Sequence, residues 1–243
     1  MLKSLQNLTR RNMYNEIKFR IHSKAKINPT QESALQENCI LVDENDRNIG
    51  AASKYKCHRL TKDGKLPLHR AFSVFIFNNK NEMLLQKRSQ TKVTFPNYYT
   101  NACCSHPLSD IEEEMNETNA IGVKLAARRR LEFELGIPQN EIDINKLMYL
   151  TRIHYFSKGD GVWGEHEIDY ILLMKQDLIL KPNPDEVGEV CYVGRNDFSN
   201  FLKTLSDPVT PWFKLIVHNT LLPWWDNLHQ LDKFKNVNSI QKF

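Results

Sequence analysis

The stretch Ala71-Phe-Ser-Val-Phe-Ile-Phe77 predicts a β-strand more strongly than any other part of the chain, and it decides the fold class. The polar turn from Asn78 to Glu82 joins it to Met83-Leu-Leu-Gln-Lys87, and this spacing predicts a β-hairpin. Upstream, Cys39-Ile-Leu-Val-Asp43 predicts a buried strand that ends in the turn Glu44–Asn48. The chain therefore contains a sheet.

Helices alternate with further strands along the rest of the chain. Apolar residues recur at helical spacing from about Glu117 to Leu135, and Gly136 followed by Pro138 ends that helix. Met148–Phe156 and Trp163–Met174 predict a long hairpin around Ser157–Gly161, and two C-terminal helices are predicted at Phe198–Leu205 and Trp212–Leu221. Without repeats or an internal linker, this order predicts one α/β domain.

Bulk properties exclude several classes of protein. The 243 residues are 41% hydrophobic and 26% charged, as in an ordinary globular protein. Runs such as Val74–Phe77 and Tyr170–Met174 are far too short to span a bilayer. A net charge of +4 gives no argument for nucleic acid. Five cysteines without disulfide-framework spacing indicate a reducing compartment.

The N-terminal residues 1–27 form a basic leader, with seven Lys or Arg residues against one acid, Glu16. They contain no apolar core, which excludes a secretory signal. Two interpretations stay open: a mitochondrial transit peptide and a basic extension. The predicted compartment is accordingly the cytoplasm, with the mitochondrion as the alternative.

The string Thr100-Asn-Ala-Cys-Cys-Ser-His-Pro107 places two adjacent cysteines beside a histidine. They could form a disulfide, fill the core, bind a metal, or supply one reactive thiol. A disulfide between neighbours would be strained. Adjacent side chains on extended backbone point to opposite sides, so only one of the two thiols can face a given site.

Possible metal ligands and anion-binding cations lie near the predicted strands. His58 and His69 flank a loop, and Glu165 and Glu167 would share one face of a strand, with His166 pointing away. Nitrogen and oxygen donors of this kind suit Mg²⁺, Mn²⁺ or Zn²⁺. The remaining candidates are His106 for metal, Arg88, Lys92 and Lys54 for an anion, and Trp212 for a cation-stabilising ring or a core residue.

Four strings together resemble the type I isopentenyl-diphosphate Δ-isomerases in order and spacing. They are Leu68–Phe75, Thr100–Ser109, Trp163–Tyr170 and Thr210–Phe213, and the resemblance runs from about Glu37 to about Leu228. It implies a Nudix-type α/β/α sandwich around a mixed β-sheet in a single domain. The implied boundaries are an extension at 1–36, the isomerase domain at 37–228 and a tail at 229–243.

The same resemblance implies an enzyme that interconverts isopentenyl and dimethylallyl diphosphate, and it assigns roles by motif. Cys104, Glu167, Tyr155 and Trp212 would be catalytic. Lys54, Arg88, Lys92, Ser105 and Arg130 would contact the diphosphate or line its site. His58, His69, His106, Glu165 and Glu167 would hold a divalent metal, and Glu134 would help to hold the Mg²⁺ that arrives with the diphosphate.

Departures from related patterns bear on the alternatives. Ala102 stands where most type I enzymes have Thr, which puts little in doubt. A Nudix hydrolase helix would read Arg-Glu-x-x-Glu-Glu, whereas here Arg130 and Phe133 replace two of the three glutamates within Arg129–Glu134. Those carboxylates position metal and water in hydrolysis, so their loss argues against a Nudix pyrophosphohydrolase. A catalytically silent, metal-stabilised binding module is the other alternative.

The reaction itself explains why an acid and a base are needed. An allylic C–H of an unactivated alkene is too weakly acidic for direct removal, so the double bond is protonated first and the resulting tertiary cation then loses a proton. This requires one acid and one base on opposite sides of the carbon skeleton, and the pair Cys104 and Glu167 suits those places. Which of them gives the first proton stays open. We expect a monomer that acts on a small diphosphate and binds no nucleic acid.

Overall fold

Ten strands of a mixed sheet organise the part of the chain, residues 27–243, that the computed structural model describes. The strands are β1 (Asn38–Val42), β2 (Asn48–Ser53), β3 (His69–Phe77), β4 (Met83–Arg88), β5 (Tyr99–Asn101), β6 (Cys103–Ser105), β7 (Met148–Ser157), β8 (Glu165–Lys175), β9 (Val187–Val193) and β10 (Asn236–Lys242). The helices are α1 (Pro29–Ala34), α2 (Lys54–His58), α3 (Ile121–Leu135), α4 (Phe198–Thr204), α5 (Pro211–Ile216) and α6 (Leu222–Asp226), with a π-helical turn at Val217–Leu221 between the last two.

Strand β3 is the hub of this sheet. On one side it runs parallel to β8 over nine residue pairs, and on the other it is antiparallel to β1 and β6, in the order β10-β7-β8-β3-β1-β2. All nine of its residues are buried. A strand that is covered on both faces needs a continuous apolar run rather than alternation, which is what Ala71–Phe77 provides.

The predicted hairpin between β3 and β4 forms only at its turn. The two strands share a single ladder pair, Phe77 with Met83, after which β4 leaves to pair with β5 and β9. The hairpin prediction was therefore wrong beyond the turn, because both edges of β3 are already occupied by β8, β1 and β6. The second predicted hairpin, β7 with β8, is confirmed as a long antiparallel pair.

Helix α3 and the C-terminal helices cover opposite faces of the sheet, which confirms the α/β/α sandwich. Val123, Ala127 and Leu131 pack on one apolar core with β3, and Phe213 and Trp225 belong to the other. Helix α3 begins at Ile121 rather than near Glu117, since the backbone just before it is left-handed. It ends at the predicted Gly136, whose φ of 65° is left-handed and whose N–H donates to the Glu132 carbonyl.

Both ends of the described chain join the domain more closely than the sequence indicates. Helix α1 lies in the expected extension, yet Thr30 and Asn28 hydrogen-bond to Asp185. Strand β10 lies in the expected tail, yet it pairs in parallel with β7. Its sequence, NVNSIQK, lacks an apolar pattern because most of its side chains are exposed, so only its backbone hydrogen bonds identify it.

The N-terminal leader and the membrane-spanning potential of the helices complete the description of the fold. The basic leader, for which a transit peptide and a basic extension stay open, falls almost wholly in residues 1–26, outside the described residues. Among the helices of residues 27–243, none combines the length and apolar character needed to cross a membrane.

The close approach at Gly136 gives a stability prediction. A Cβ at Gly136 would lie 2.4 Å from the Lys181 carbonyl oxygen, whereas a Cβ at Gly64, which has a similar φ, would approach only the flexible end of Lys158. We expect Gly136→Ala to lower the free energy of unfolding by about 2–4 kcal/mol and Gly64→Ala by about 1 kcal/mol. Urea unfolding of both variants measures the difference, and equal losses would contradict the clash.

Candidate active site

The ladders around β3 place the candidate residues in two rows of the sheet. His69 on β3 pairs with Glu167 on β8, and Glu167 pairs in turn with Tyr155 on β7. Four residues further along β3, Ser73 pairs with Cys104 on β6. Residues that are far apart in the sequence therefore meet at one end of the sheet.

Five buried side chains converge there on a common point. The ligand atoms of His58, His69, His106, Glu165 and Glu167 all lie within 4.8 Å of one another. Oε1 of Glu167 is 2.9 Å from His106 Nε2, 3.4 Å from His69 Nε2 and 3.8 Å from His58 Nε2. As the strand pattern predicts, Glu165 and Glu167 share one face of β8. His166 lies on the other face, against His154.

The donor set fits a divalent metal on its own geometry. Nδ1 of His58 faces the Lys54 carbonyl and Nδ1 of His69 faces the Pro67 carbonyl, so both Nδ1 atoms carry the proton. Their Nε2 atoms are thereby directed into the cluster, an arrangement typical of metal-ligating histidines. His69 Nε2 and Glu165 Oε2 are buried without a hydrogen-bond partner, although each lies close to another ligand atom.

Glu167 belongs to both the cluster and the cavity. Burial works to raise its pKa, but the adjacent His106 and His69 imidazoles outweigh burial and hold the pKa well below its usual range. The carboxylate is therefore ionised at neutral pH. Its second oxygen, Oε2, accepts a hydrogen bond from the Tyr155 hydroxyl.

The two adjacent cysteines face opposite sides of β6. Cys103 is fully buried in the core beneath α3, while Cys104 faces the cavity and the core of the C-terminal helices. The thiol of Cys104 donates to Asn101 Oδ1 at 3.1 Å and accepts from Trp212 Nε1 at 3.1 Å. Burial, followed by the nearby Asp169 carboxylate, raises the pKa of Cys104 to about 12, so the thiol carries its proton at neutral pH.

Trp212 forms one wall of the same cavity. Pro211 begins helix α5 at its first position, and this places the indole beside Cys104. The indole ring packs edge-on against Phe95 and lies 6.3 Å, between ring centroids, from Tyr155. The sequence left two roles for Trp212, a core residue or a cation-stabilising ring. In the structure the residue is 4% exposed and packs in the core while it also lines the cavity.

Most of the predicted anion-binding residues line the cavity, but two residues of the assigned set do not. Lys54, Arg88, Lys92 and Ser105 are at its wall. Arg88 Nη2 donates to the Thr94 carbonyl, which holds the guanidinium beneath that loop. In contrast, Arg130 and Glu134 lie behind the wall, where Arg130 Nη2 contacts Glu134 at 2.7 Å and Glu186 at 3.1 Å.

Sequence reasoning missed three residues of the site. Asp169 accepts a hydrogen bond from Ser73 Oγ and shares the strand face of Glu165 and Glu167, so the period of two could have found it. Gln31 on α1 also lines the cavity. Glu186 forms the ion pair with Lys92, and no local pattern in the turn that carries it indicates this.

Comparison with known proteins places the chain in a family. The NUDIX domain model matches residues 67–213. Isopentenyl-diphosphate Delta-isomerase 1 of Mus musculus is 50% identical over 215 residues, which cover 87% of this chain and 94% of that protein. This chain belongs to the isopentenyl-diphosphate Delta-isomerase family.

Relatives from two further organisms carry the same family name, and one solved structure shares the fold. The isopentenyl-diphosphate Delta-isomerase I of Clarkia breweri is 49% identical over 81% of this chain and 70% of its own. An isopentenyl-diphosphate delta-isomerase of Gibberella zeae is 48% identical over 86% of this chain and 83% of its own. A NUDIX hydrolase crystal structure from Alicyclobacillus acidocaldarius, at 11% identity, superposes with a TM-score of 0.52 over 69% of this chain and 97% of that chain. That likeness concerns the fold alone.

The convergent donors predict a metal that depends on Glu167. We expect Glu167→Gln to lose most of its bound divalent metal, since an amide oxygen binds a hard cation more weakly than a carboxylate does. Asp169→Asn is the matched control, because it replaces a buried carboxyl two residues along the same strand but outside the ligand cluster. Elemental analysis of the purified variants measures the metal, and full occupancy in Glu167→Gln would refute the ligand assignment.

Proposed function

We propose that this chain interconverts isopentenyl and dimethylallyl diphosphate, with Cys104 and Glu167 as its acid–base pair. The single observation that carries the proposal is the cavity lined by both residues, in which Trp212 contacts the thiol and Tyr155 contacts the carboxylate. Identity near 50% with proteins named for this activity supports the reaction.

The side chains divide the work between two ends of the substrate. At the hydrocarbon end, the alkene needs a proton donor and a proton acceptor on opposite faces. Cys104 presents a protonated thiol, and the Glu167 carboxylate is paired with the Tyr155 hydroxyl, a second proton-bearing group. In this state the thiol holds a proton and the carboxylate can accept one. A start from the Glu167–Tyr155 side requires that Cys104 has first given up its proton.

The tertiary cation between the two steps needs protection from water and a source of negative potential. Trp212 is 4% exposed and can stabilise the cation through its face by about 1–2 kcal/mol. Tyr155 and the indole form an aromatic wall at this end of the cavity, and Phe95 packs edge-on against the indole. A wall of this kind excludes water, which would otherwise trap the cation.

At the polar end, binding of the diphosphate holds a substrate whose hydrocarbon part offers little surface. Lys54, Arg88 and Lys92 supply positive charge at the wall, and Ser105 supplies a hydroxyl. Their binding energy can hold the alkene in position between the acid and the base. Arg130 lies behind the cavity wall, where it contacts Glu186 and does not line the cavity.

Two divalent ions complete the proposal. The His58, His69, His106, Glu165 and Glu167 site suits Mg²⁺, Mn²⁺ or Zn²⁺, and its ion would polarise Glu167 and stabilise its charged form when bound. Mg²⁺ binds through one or two carboxylates together with substrate phosphates, and Glu134 would share the Mg²⁺ that the diphosphate brings after it turns from Arg130 towards the cavity. We further propose a monomer in the cytosol, with the mitochondrion as the alternative that the basic leader leaves open.

The paired cysteines give the sharpest test of the assignment. We expect Cys104→Ala to reduce kcat by about 10²–10⁴-fold, because it removes one member of the acid–base pair, while Mg²⁺–pyrophosphate binding persists. Cys103→Ala, a matched change on the other face of β6, should keep kcat within about threefold and lose about 1 kcal/mol of stability. Product analysis for dimethylallyl diphosphate measures both, and near-normal turnover by Cys104→Ala would refute the assignment.

A phosphate-release assay tests the alternative that the chain is a pyrophosphohydrolase. Phosphate release from nucleoside diphosphate derivatives would favour a pyrophosphohydrolase. We expect none, because Arg130 occupies a metal-ligand position of the hydrolase helix and forms ion pairs with both neighbouring carboxylates.

A further inference from the structure

A buried carboxylate stands among the cations that the proposed function assigns to the diphosphate. Glu186 is 2% exposed, and its Oε2 accepts from Lys92 Nζ and from Arg130 Nη2 at 3.1 Å. Its Oε1 accepts from Gln31 Nε2 at 2.9 Å. A carboxylate beside a diphosphate site repels the substrate. The contacts of Glu186 with the surrounding cations indicate why it is nevertheless there.

The backbone holds Glu186 in one place. Its N–H donates to the Asn183 carbonyl, and the Asn183 N–H donates to the carbonyl of Glu134 at the end of α3. Its own carbonyl accepts from Ser89, whose carbonyl accepts in turn from the N–H of Lys92. The turn that carries Glu186 is therefore bound both to the helix that carries Arg130 and to the loop that carries Lys92.

Lys92 is the group that needs this carboxylate. Its side chain is 9% exposed at the cavity wall, and Arg88 on β4 and Lys54 on α2 add positive charge around it. Burial, with these two like charges, lowers the pKa of Lys92 to about 8, although Glu186 and, more weakly, Glu134 on α3 oppose that fall. Arg130 keeps its charge at all relevant pH, so it does not depend on Glu186 in this way.

We propose that Glu186 is a positioning residue of the diphosphate subsite, whose carboxylate keeps the Lys92 ammonium charged at the cavity wall. The inference rests on the substrate-binding role proposed for Lys92. A diphosphate binds the ammonium form and not the free amine, so affinity is lost as the pH rises through the pKa of Lys92. Without the Glu186 charge that pKa falls further, and the loss of affinity begins at a lower pH.

The experiment compares pH profiles of three variants of the full chain loaded with Mg²⁺. For Glu186→Gln, the ratio of its KM for isopentenyl diphosphate to that of the unmodified protein should be near one at about pH 6. It should rise to about tenfold at about pH 9, since each unit of pKa change is worth at most a factor of ten. Glu186→Asp keeps the charge, and its ratio should stay constant across the range.

Asp185→Asn is the matched control, because it removes a charge from the neighbouring residue, which contacts Asn28 and Thr30 rather than Lys92. Its ratio should also be independent of pH. Calorimetric titration with Mg²⁺ and inorganic pyrophosphate should give the same pattern in Kd, independently of turnover. A ratio for Glu186→Gln that does not change with pH, or an equal rise in Asp185→Asn, would overturn the inference.

Lys92→Met separates this inference from the function on which it rests. We expect it to bind inorganic pyrophosphate at least tenfold more weakly, with no further loss when Glu186→Gln is added. Unchanged pyrophosphate binding by Lys92→Met would overturn the role of Lys92 and the inference together, while the tests on Cys104 would stand unaffected. If adding Glu186→Gln to Lys92→Met weakened pyrophosphate binding further, Glu186 would act on a group other than Lys92. This too would overturn the inference.

Discussion

The parallel ladder between β3 and β8 is the constraint on which the rest of this isomerase depends. It sets His69 beside Glu167, and the next ladder, with β7, sets Tyr155 beside the same carboxylate. A shift of one residue in this register would turn Glu165 and Glu167 to the face that His166 now occupies. Nine consecutive pairs and complete burial of β3 stabilise the register against such a shift.

Burial in this site has a different consequence for each ionisable group. It keeps the proton on Cys104, where burial and the Asp169 carboxyl outweigh the nearby charge of Arg88. It fails to keep a proton on Glu167, because His106 and His69 contact the carboxylate. The ion pairs with Lys92 and Arg130 likewise overcome burial and lower the pKa of Glu186 to about 2. The same low-polarity interior thus holds a neutral acid and charged carboxylates side by side.

The structure explains what Arg130 does in place of a glutamate of the hydrolase helix. In the hydrolase pattern the position of Arg130 would carry a metal-binding glutamate. Here its guanidinium forms ion pairs with Glu134 and Glu186, and this balances two buried carboxylates with one buried cation. Arg130 therefore places a positive charge where the hydrolase pattern has a negative one. Phe133, the second departure, is on the exposed side of α3.

The sequence by itself determined the elements and the candidates whose evidence is local. The apolar run of β3, the glycine that ends α3, the same-face glutamates of β8 and the opposed cysteines of β6 all follow from periodicity or backbone preference. The family motifs added the proposed metal ligands and the proposed acid–base pair.

Only the tertiary structure decided which distant segments meet. It separated β4 from β3, brought β10 to β7, placed Arg130 behind the cavity and set Glu186 against Lys92. The physical reason is that ladder pairing and buried ion pairs depend on the path of the whole chain. The residues around Glu186 in the sequence do not indicate that it contacts Lys92, which is 94 positions away.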